Sequence, residues 1–150
     1  MTNERTTGVV ERFNATFNRH DVDAIMALIT EDCVFENTTP PPNGERFADQ
    51  AAVRACWERL CADAPQAVFS TEDLFISADR AVVRWSYRWA ADEPGRVAHV
   101  RGVDLLRAAD DKIADKLVGQ WVTYIWNTGR TSTVPTWAHG IVAASSAASF

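Results

Sequence analysis

The sequence has few of the residues that mark metal, disulfide or phosphate-binding proteins. It contains three cysteines, three histidines and seven glycines in 150 residues. The cysteines are odd in number and none forms a Cys-x-x-Cys pair, so we interpret them as reduced thiols and expect a cytoplasmic protein. The dispersed histidines give no metal-ligand spacing. The sequence lacks a glycine-rich phosphate loop and a Gly-x-Ser-x-Gly elbow, so we expect neither a metal nor a cofactor.

Long apolar runs and an excess of positive charge are also absent. No apolar run approaches the roughly 18 residues of a membrane span. The polar segment Met1–Gly8 is not followed by an apolar run, so no signal peptide is expected. Lys and Arg number 15 against 20 Asp and Glu, a formal net charge of −5. This balance argues against binding nucleic acid through its phosphates, and we expect neither a nucleic-acid nor a membrane partner.

A chain of 150 residues fits one domain. We predict a folded domain over 1–126 and a C-terminal extension over 127–150, which is rich in Ser, Thr, Ala and Gly. The one marked excess is tryptophan, with six residues. So many indole rings suggest a large aromatic cavity or an aromatic interface.

Hydrophobic spacing predicts an α+β fold. Apolar residues three and four apart predict helices over 6–19, after Asp21 and over about 49–62, the first capped by Thr6 or Thr7. Segment 33–37 reads as a short strand before a proline-rich turn. After Pro65 the pattern is that of four strands joined by short turns, hence antiparallel: 68–77, 81–90, 96–109 and 112–126. The order α-α-β-α-β-β-β-β predicts a curved, mostly antiparallel sheet wrapped around three N-terminal helices.

One face of the strand over 81–90 is aromatic. Alternate side chains of a strand share a face, and here one face carries Val83, Trp85, Tyr87 and Trp89 while the other carries arginines. We interpret the aromatic face as one wall of a pocket for a flat, mostly apolar ligand; a plain core and a dimer face are the alternatives. Other aromatic residues complete the predicted lining: Phe13, Phe17, Phe35 and Trp57.

Asp104 is the most informative polar residue of the sequence. It lies mid-strand between Val103 and Leu105, where a carboxylate is costly unless it is paired or faces a cavity. Such a position suits a general acid or base. The alternative is an exposed aspartate paired with Arg101 or Arg107. By alternation His99 faces the side opposite to Asp104, unless a β-bulge intervenes.

The ordered segments Phe13–Asp23, Thr30–Asn37, Arg101–Arg107 and Asp111–Ile113 give the chain a family resemblance. Over about 9–122 the chain resembles the nuclear transport factor 2-like superfamily and, within it, the SnoaL-like group. The resemblance implies a cone-shaped half-barrel with a deep pocket, usually a homodimer through the outer face of the sheet. That fold serves isomerases, dehydratases, cyclases, epoxide hydrolases and pure binding modules, so function has to be argued from the site.

The resemblance assigns roles to two residues. Asp104 aligns with the catalytic acid of SnoaL-like polyketide cyclases and with the oxyanion-hole aspartic acid of ketosteroid isomerase. Asn37 matches the asparagine that positions water in limonene epoxide hydrolase. The histidine that such cyclases carry on the preceding strand would fall near residues 89–91, where the sequence has none.

The complete catalytic sets of two related enzymes are missing. The tyrosine, arginine and first aspartate of limonene epoxide hydrolase fall on Phe35, Trp85 and Tyr87, and its last aspartate falls near Val118. The general base of ketosteroid isomerase falls on Asn37, and its oxyanion tyrosine falls on Phe13 in the first predicted helix. Neither standard activity is therefore expected.

These observations predict a protein that binds a small hydrophobic cyclic molecule and performs cofactor-independent acid/base chemistry of the isomerase, cyclase or dehydratase type. Asp104 is the predicted acid or base, and Tyr87 and Asn37 are predicted to orient a carbonyl or hydroxyl. The alternative is a non-catalytic ligand-binding or dimerisation module of the same fold. We also expect a homodimer whose interface mixes outer-face arginines with Leu105 and Leu117.

Overall fold

The computed structural model describes residues 1–38, 42–90 and 97–124, with side chains up to residue 119. Three helices are present: α1 (Asn3–Phe17), α2 (Val22–Ala27) and α3 (Gln50–Asp63). Six strands form one sheet: β1 (Ile29–Asn37), β2 (Glu45–Phe47), β3 (Val68–Ser77), β4 (Arg80–Ala90), β5 (Val97–Ala109) and β6 (Lys112–Tyr124). Their order across the sheet is β2-β1-β6-β5-β4-β3. The predicted α+β fold, with helices on a curved and mostly antiparallel sheet, is confirmed.

The first half of the sheet differs from the prediction in two ways. β1 is longer than the predicted strand and pairs in parallel with β6, so one pair in the sheet is not antiparallel. The unpredicted strand β2 folds back on β1, with Phe47 opposite Phe35. The connection requires Gly44, which has φ of +71° and whose hypothetical Cβ would lie 1.9 Å from the carbonyl oxygen of Asn37. A three-residue strand is too short for alternation to reveal it.

The helix starts follow from side-chain caps. Asp21 and Asp49 accept hydrogen bonds from the backbone N–H groups of Ala24 and Ala52 at 3.0 and 2.8 Å, which caps α2 and α3. The predicted cap of α1 is wrong: Thr2 caps it, and Thr6 is instead fully buried. The Thr6 hydroxyl donates to the carbonyl oxygen of Ala78 at 2.5 Å, which fixes α1 against the β3–β4 turn.

The sheet has an inner face, covered by the helices, and an outer face. α1 contacts β3, β4, β5 and β6, so it crosses the inner face. Alternation along β5 is regular, with Gly102, Asp104 and Leu106 buried on the inner face and Leu105 exposed on the outer one. β6 carries a bulge opposite Arg107 and the following residue, which sets the facing of its later residues.

Several predicted features lie outside the described residues: the C-terminal extension 127–150, the turn at 39–41 and the connection 91–96. Within the described ranges, no helix has both the length and the apolar character needed to cross a membrane.

Candidate functional site

A cavity of about 360 Å³ lies between the inner face of the sheet and helices α1 and α3. This volume is at the small end of the range typical of small-molecule sites, roughly 300–1,000 Å³. All of the predicted site residues except Trp89 line it: Phe13, Phe17, Phe35, Asn37, Trp57, Trp85, Tyr87 and Asp104. The structure brings together residues from two helices and three strands that are up to about 90 positions apart in the sequence.

Trp57 of α3 is the centre of the aromatic wall. Its ring lies 6.1 Å from that of Phe13, 5.5 Å from that of Phe17 and 4.9 Å from that of Phe35, measured between centroids. The two contacts with α1 are edge-to-face, the geometry that aromatic quadrupoles prefer. Because Trp57 is 3% exposed and packed on three sides, this part of the cavity has a fixed apolar shape.

On β4, alternation places Trp85, Tyr87 and Trp89 on the inner face, and all three are buried. The Trp89 ring packs against Tyr87 at 5.9 Å, beyond the cavity lining formed by the described residues. Burial raises the pKa of Tyr87, and the nearby Cys61 and Asp63 add to the shift. The phenol is therefore protonated near neutral pH and can donate, but it cannot serve as a base.

Asp104 lies on the cavity wall as half of a buried ion pair. Its Oδ1 accepts a hydrogen bond from the indole N–H of Trp85 at 2.8 Å, and its Oδ2 accepts one from the ammonium of Lys116. The Asp104 side chain is 2% exposed and that of Lys116 is 9% exposed. A buried charge requires such partners.

The sequence left two positions open for Asp104: one facing a cavity, and one on the surface paired with Arg101 or Arg107. The structure has Asp104 in the cavity lining. Those arginines lie on the outer face, where they pair with Glu72 and Asp115. Two N–H groups donate to Asp104, which fits a carboxylate acting as acceptor better than a carboxyl acting as proton donor. A catalytic role for Asp104 remains a prediction.

Lys116 is the site residue that sequence reasoning missed. A lysine between Asp115 and Leu117 reads as a solvent-exposed strand residue, and alternation counted from the buried Ile113 places Lys116 on the outer face. The bulge in β6 adds one residue: Ile113 and Ala114 are both buried, and Lys116 turns inward. One feature of the sequence could have pointed to Lys116: a carboxylate in the middle of a strand, such as Asp104, needs a cation beside it if it is buried.

Gly102 makes room for Trp85. The two residues are direct partners across β4 and β5, and a Cβ on Gly102 would lie 2.4 Å from the Trp85 ring. The indole can therefore lie against the strand and reach Asp104 with its N–H. Gly102 is thus a positioning residue for the hydrogen bond between Trp85 and Asp104.

The mouth of the cavity is polar. Glu45, Arg59 and Asp63 lie there together with Asn37, which ends β1 and is half-buried. The closest charged atoms of Arg59 and Glu45 are 4.0 Å apart. Both are more than half exposed, so the pair contributes little to stability but sets the polarity of the entrance.

The remaining titratable candidates lie elsewhere or are inert. His99 faces Arg88 on the outer face, as alternation predicts, and β5 has no bulge that would turn it toward the cavity. Cys56 lines the cavity, but burial raises its pKa to about 11, so it remains a thiol near neutral pH. In the described part of the chain, no three His, Cys, Asp or Glu side chains converge as metal ligands.

The chain and its fold have clear counterparts among known proteins. Residues 10–116 match the family model of the SnoaL-like domain. A nuclear transport factor 2-like protein of unknown function from Mesorhizobium loti is 38% identical, over 80% of this chain and 93% of that one, with a TM-score of 0.67. No curated protein has a sequence that matches this chain significantly.

Two more distant structures share the fold. The epoxide hydrolase/cyclase-like enzyme SalBIII, which has a role in pyran ring formation in the polyether salinomycin, is 19% identical with a TM-score of 0.69. That match covers 82% of this chain and 97% of SalBIII. A hypothetical protein with a ketosteroid isomerase-like fold from Catenulispora acidiphila, in complex with trimethylamine, is 14% identical over 73% of this chain and 82% of that one, with a TM-score of 0.63. With the family model matching more than half of its length, the chain belongs to the SnoaL-like domain family.

Proposed function

We propose that the cavity binds a small, flat, mostly apolar cyclic molecule and that Asp104 transfers a proton on it without a cofactor. The observation that carries this proposal is the buried pair of Asp104 and Lys116 on an otherwise aromatic wall. Replacing such a pair by apolar residues is often neutral or stabilising, so packing alone gives little reason to keep it. Proton transfer in a water-poor cavity gives such a reason.

The roles follow from the groups present. Asp104 has an ionic partner and a neutral one, and it acts as the base that removes a proton from the ligand. Tyr87, whose raised pKa keeps it protonated, and Asn37 at the mouth orient a carbonyl or hydroxyl. Isomerases, cyclases and dehydratases all need such a proton transfer. The standard epoxide hydrolase and ketosteroid isomerase reactions are not proposed, because Phe13 and Trp85 stand at positions where those enzymes use polar groups.

The second candidate is a binding module with the same cavity. It is favoured by the fact that both carboxylate oxygens of Asp104 already accept hydrogen bonds within the protein. Such a module binds the ligand and produces no product. The two candidates therefore differ in turnover and agree on binding.

The test uses the tryptophans of the cavity. Tryptophan fluorescence is titrated with a panel of fused-ring molecules, and proton NMR in deuterium oxide then follows exchange of C–H protons on every ligand that binds. We expect Asp104→Asn to retain binding and to lose exchange by about 10²–10⁴-fold, the usual contribution of a positioned base. Asp115→Asn, on the outer face of the same strand pair, is the control.

Three outcomes separate the candidates. Loss of exchange in Asp104→Asn alone supports acid/base chemistry. Binding without exchange in the wild-type protein supports the binding module. Exchange at the wild-type rate in Asp104→Asn, with circular dichroism showing a folded protein, removes Asp104 from the mechanism.

We further propose that the outer face of the sheet forms a homodimer. Phe75, Val82, Leu105 and Leu117 are successive partners across β3, β4, β5 and β6 and form an apolar row, which we call the outer row. Phe75 is 62% exposed and Leu105 is 48% exposed, which is unusual for contiguous apolar side chains.

The outer row lies between charged groups. Along β5, the ion pair of Arg107 and Asp115 lies on one side of the row, and the pair of Arg101 and Glu72 lies on the other. An apolar centre with a polar rim is typical of protein interfaces, and a second copy of this face offers the matching pattern. We expect a dimer that buries at least roughly 1,000 Å² in total.

Light scattering at micromolar concentration tests the dimer. We expect a dimer mass for the wild type and a monomer mass for Leu105→Glu, since a carboxylate in the outer row would be buried without a partner. Val68→Glu is the control, because Val68 is 53% exposed but lies at the far end of β3. A wild-type monomer contradicts the proposal.

The proposed cytoplasmic location rests only on the state of the cysteines. Cys33, Cys56 and Cys61 are all free. This agrees with the predicted cytoplasmic location, which remains a prediction.

A further inference from the structure

We propose that Lys116 forms a reversible imine with aromatic aldehydes, which gives the cavity a second, covalent activity. This inference goes beyond the proposed function: it uses the same cavity but needs no proton transfer on a carbon atom of the ligand. Three observations carry it, namely the use of lysine as the buried cation, its contact with Asp104 and its apolar surroundings.

A lysine in this position is unusual for this chain. Lys and Arg number 15, and only two of them, Lys112 and Lys116, are lysines. Of the side chains that the structure describes, Lys116 is the one buried cation. Arginine is the usual choice for a buried ion pair, because its planar group binds a carboxylate through two hydrogen bonds, but it stays protonated. A lysine can lose a proton and become a nucleophile. The cavity wall therefore carries the kind of cation that can react.

Asp104 can accept the proton that the ammonium must lose. Its Oδ2 accepts a hydrogen bond from the Lys116 ammonium, and the Trp85 N–H holds the other carboxylate oxygen at 2.8 Å. Transfer of the proton along the first hydrogen bond gives an amine and a carboxylic acid. Both groups are neutral, so this transfer removes two charges from a part of the cavity wall that is almost fully buried. Asp104 thus serves as the base and then the acid of imine formation.

The surroundings of Lys116 are apolar. Its direct partners on the neighbouring strands are Phe35 of β1 and Leu106 of β5, and both are buried. Lysines that form imines in enzymes are activated in apolar pockets of this kind. The Lys116 side chain is only 9% exposed, so a carbonyl carbon with a small substituent approaches it most easily. An aldehyde carbon carries a hydrogen there, and a flat aromatic ring suits the aromatic walls.

The reaction balances without a cofactor. The Nζ lone pair forms a bond to the aldehyde carbon, and the π pair of the C=O bond moves onto the oxygen, which takes the proton from Asp104. Asp104 then removes a proton from the nitrogen and gives it to the new hydroxyl group. That group leaves as water while the nitrogen lone pair forms the C=N bond. An ammonium and an aldehyde have become an iminium and water. The iminium keeps the positive charge, so the pair with the Asp104 carboxylate is retained.

The probe is 2-naphthaldehyde, which has no hydrogen on the carbon next to its carbonyl group and so cannot undergo the C–H exchange of the proposed function. The wild-type protein is incubated near neutral pH with this aldehyde and sodium cyanoborohydride, whose hydride reduces an imine to a stable secondary amine. Peptide mass spectrometry then locates the naphthylmethyl groups. We expect at least about tenfold more label on Lys116 than on Lys112, because an exposed lysine is almost fully protonated at this pH.

Lys116→Arg removes the reactive amine and keeps the charge. Arginine can pair with Asp104 but stays protonated, so the total label should fall to the amount found outside position 116 in the wild type. Lys112→Arg is the matched control and should keep the label on Lys116. Circular dichroism checks that both variants are folded.

A second measurement needs no variant. Wild-type protein unfolded in guanidinium chloride should carry equal label on Lys112 and Lys116, because the selectivity comes from the folded cavity. This comparison decides the question if Lys116→Arg does not fold.

Each outcome has a defined meaning. Label concentrated on Lys116 in the folded protein and evened out by unfolding supports the inference. Equal label on both lysines of the folded protein overturns it, and so does binding of 2-naphthaldehyde, seen by tryptophan fluorescence, without label on Lys116. In both of these cases the proposed function stands, because its C–H exchange is measured on other ligands. Failure of 2-naphthaldehyde to bind also overturns the inference, and the fused-ring panel then decides separately whether the proposed function fails with it.

Discussion

Two ion pairs connect β5 and β6 on opposite faces of the sheet. Asp104 and Lys116 form the inner pair, with side chains 2% and 9% exposed. Arg107 and Asp115 form the outer pair, with side chains 31% and 39% exposed. The strands and the charges involved are the same, so the pairs differ mainly in their access to water.

That difference in access to water determines how much each pair contributes to the stability of the fold. Water screens the outer pair, and such pairs contribute about 0–1 kcal/mol to stability. The inner pair has lost the favourable free energy of hydration. The attraction between its two charges and the Trp85 hydrogen bond replace only part of that free energy. An ion pair seen in a structure is therefore not in itself a stabilising element. The inner pair needs an explanation in function, whereas the outer one does not.

The largest expected effect comes from breaking the inner pair. Lys116→Met leaves the Asp104 carboxylate buried without its cation, and we expect the free energy of unfolding to fall by about 3–5 kcal/mol. Arg107→Met breaks the outer pair in the same way and should cost at most about 1 kcal/mol. Urea unfolding of both variants measures the difference. Equal losses would show that water access does not distinguish the two pairs.

The next effect concerns the indole that holds Asp104. Gly102→Ala places a methyl group on the Trp85 ring, and we expect overpacking to cost about 1–3 kcal/mol and to shift the tryptophan emission. Gly119→Ala is the control, because its added Cβ would lie 3.4 Å from the carbonyl oxygen of Val103 and needs little movement. If both variants unfold at the same urea concentration with unchanged emission, Gly102 has no positioning role.

Salt should separate the two faces further. Raising the salt concentration from about 0.1 to 1 M shortens the screening length from about 10 to 3 Å. At the higher salt concentration the outer pair of the wild type is itself screened, so removing it costs little. The stability cost of Arg107→Met should therefore shrink toward zero. The cost of Lys116→Met should persist, since ions do not reach the inner pair. Parallel salt dependence of the two variants would contradict this.

The last expected effect is at alkaline pH. Burial raises the pKa of Cys33 and Cys56 from 9.0 to about 11. Above pH 9 the unfolded chain loses these thiol protons while the folded chain keeps them, so stability should fall as pH rises from 9 to 11, by about 2 kcal/mol per thiol at most. Thermal melts of Cys56→Ala should show a shallower decline than the wild type. Cys61→Ala, with a half-buried thiol, should change the decline least.

Regular periodicity made most of this fold predictable. Strands β3 to β5 are found within one residue of their expected ends, and alternation grouped Trp85 with Tyr87 on one face of β4, the inner one. For Asp104 an inner and an exposed position were both open. These strands are long and their hairpins are short, so local pattern and tertiary position agree. The cavity lining from α1 and α3 followed from the helical spacing in the same way.

The unpredicted features are those where local pattern and tertiary context differ. One extra residue in β6 reverses the facing of Lys116, and no propensity marks where a bulge will form. β2 exists because Gly44 turns the chain back onto β1, not because three residues form a strand. Thr6 was expected to cap α1, but a buried acceptor at Ala78 uses its hydroxyl.

The central claim is that the inner pair is kept for chemistry and not for stability. The most direct measurement is made on Asp104→Leu/Lys116→Met, which replaces both charges by apolar side chains. We expect urea unfolding to show this variant as stable as the wild type or more so, because no buried charge is left unpaired. That variant should also show no exchange of C–H protons on any ligand that it binds. A double variant that keeps this proton exchange, or that is as unstable as Lys116→Met alone, would contradict the account.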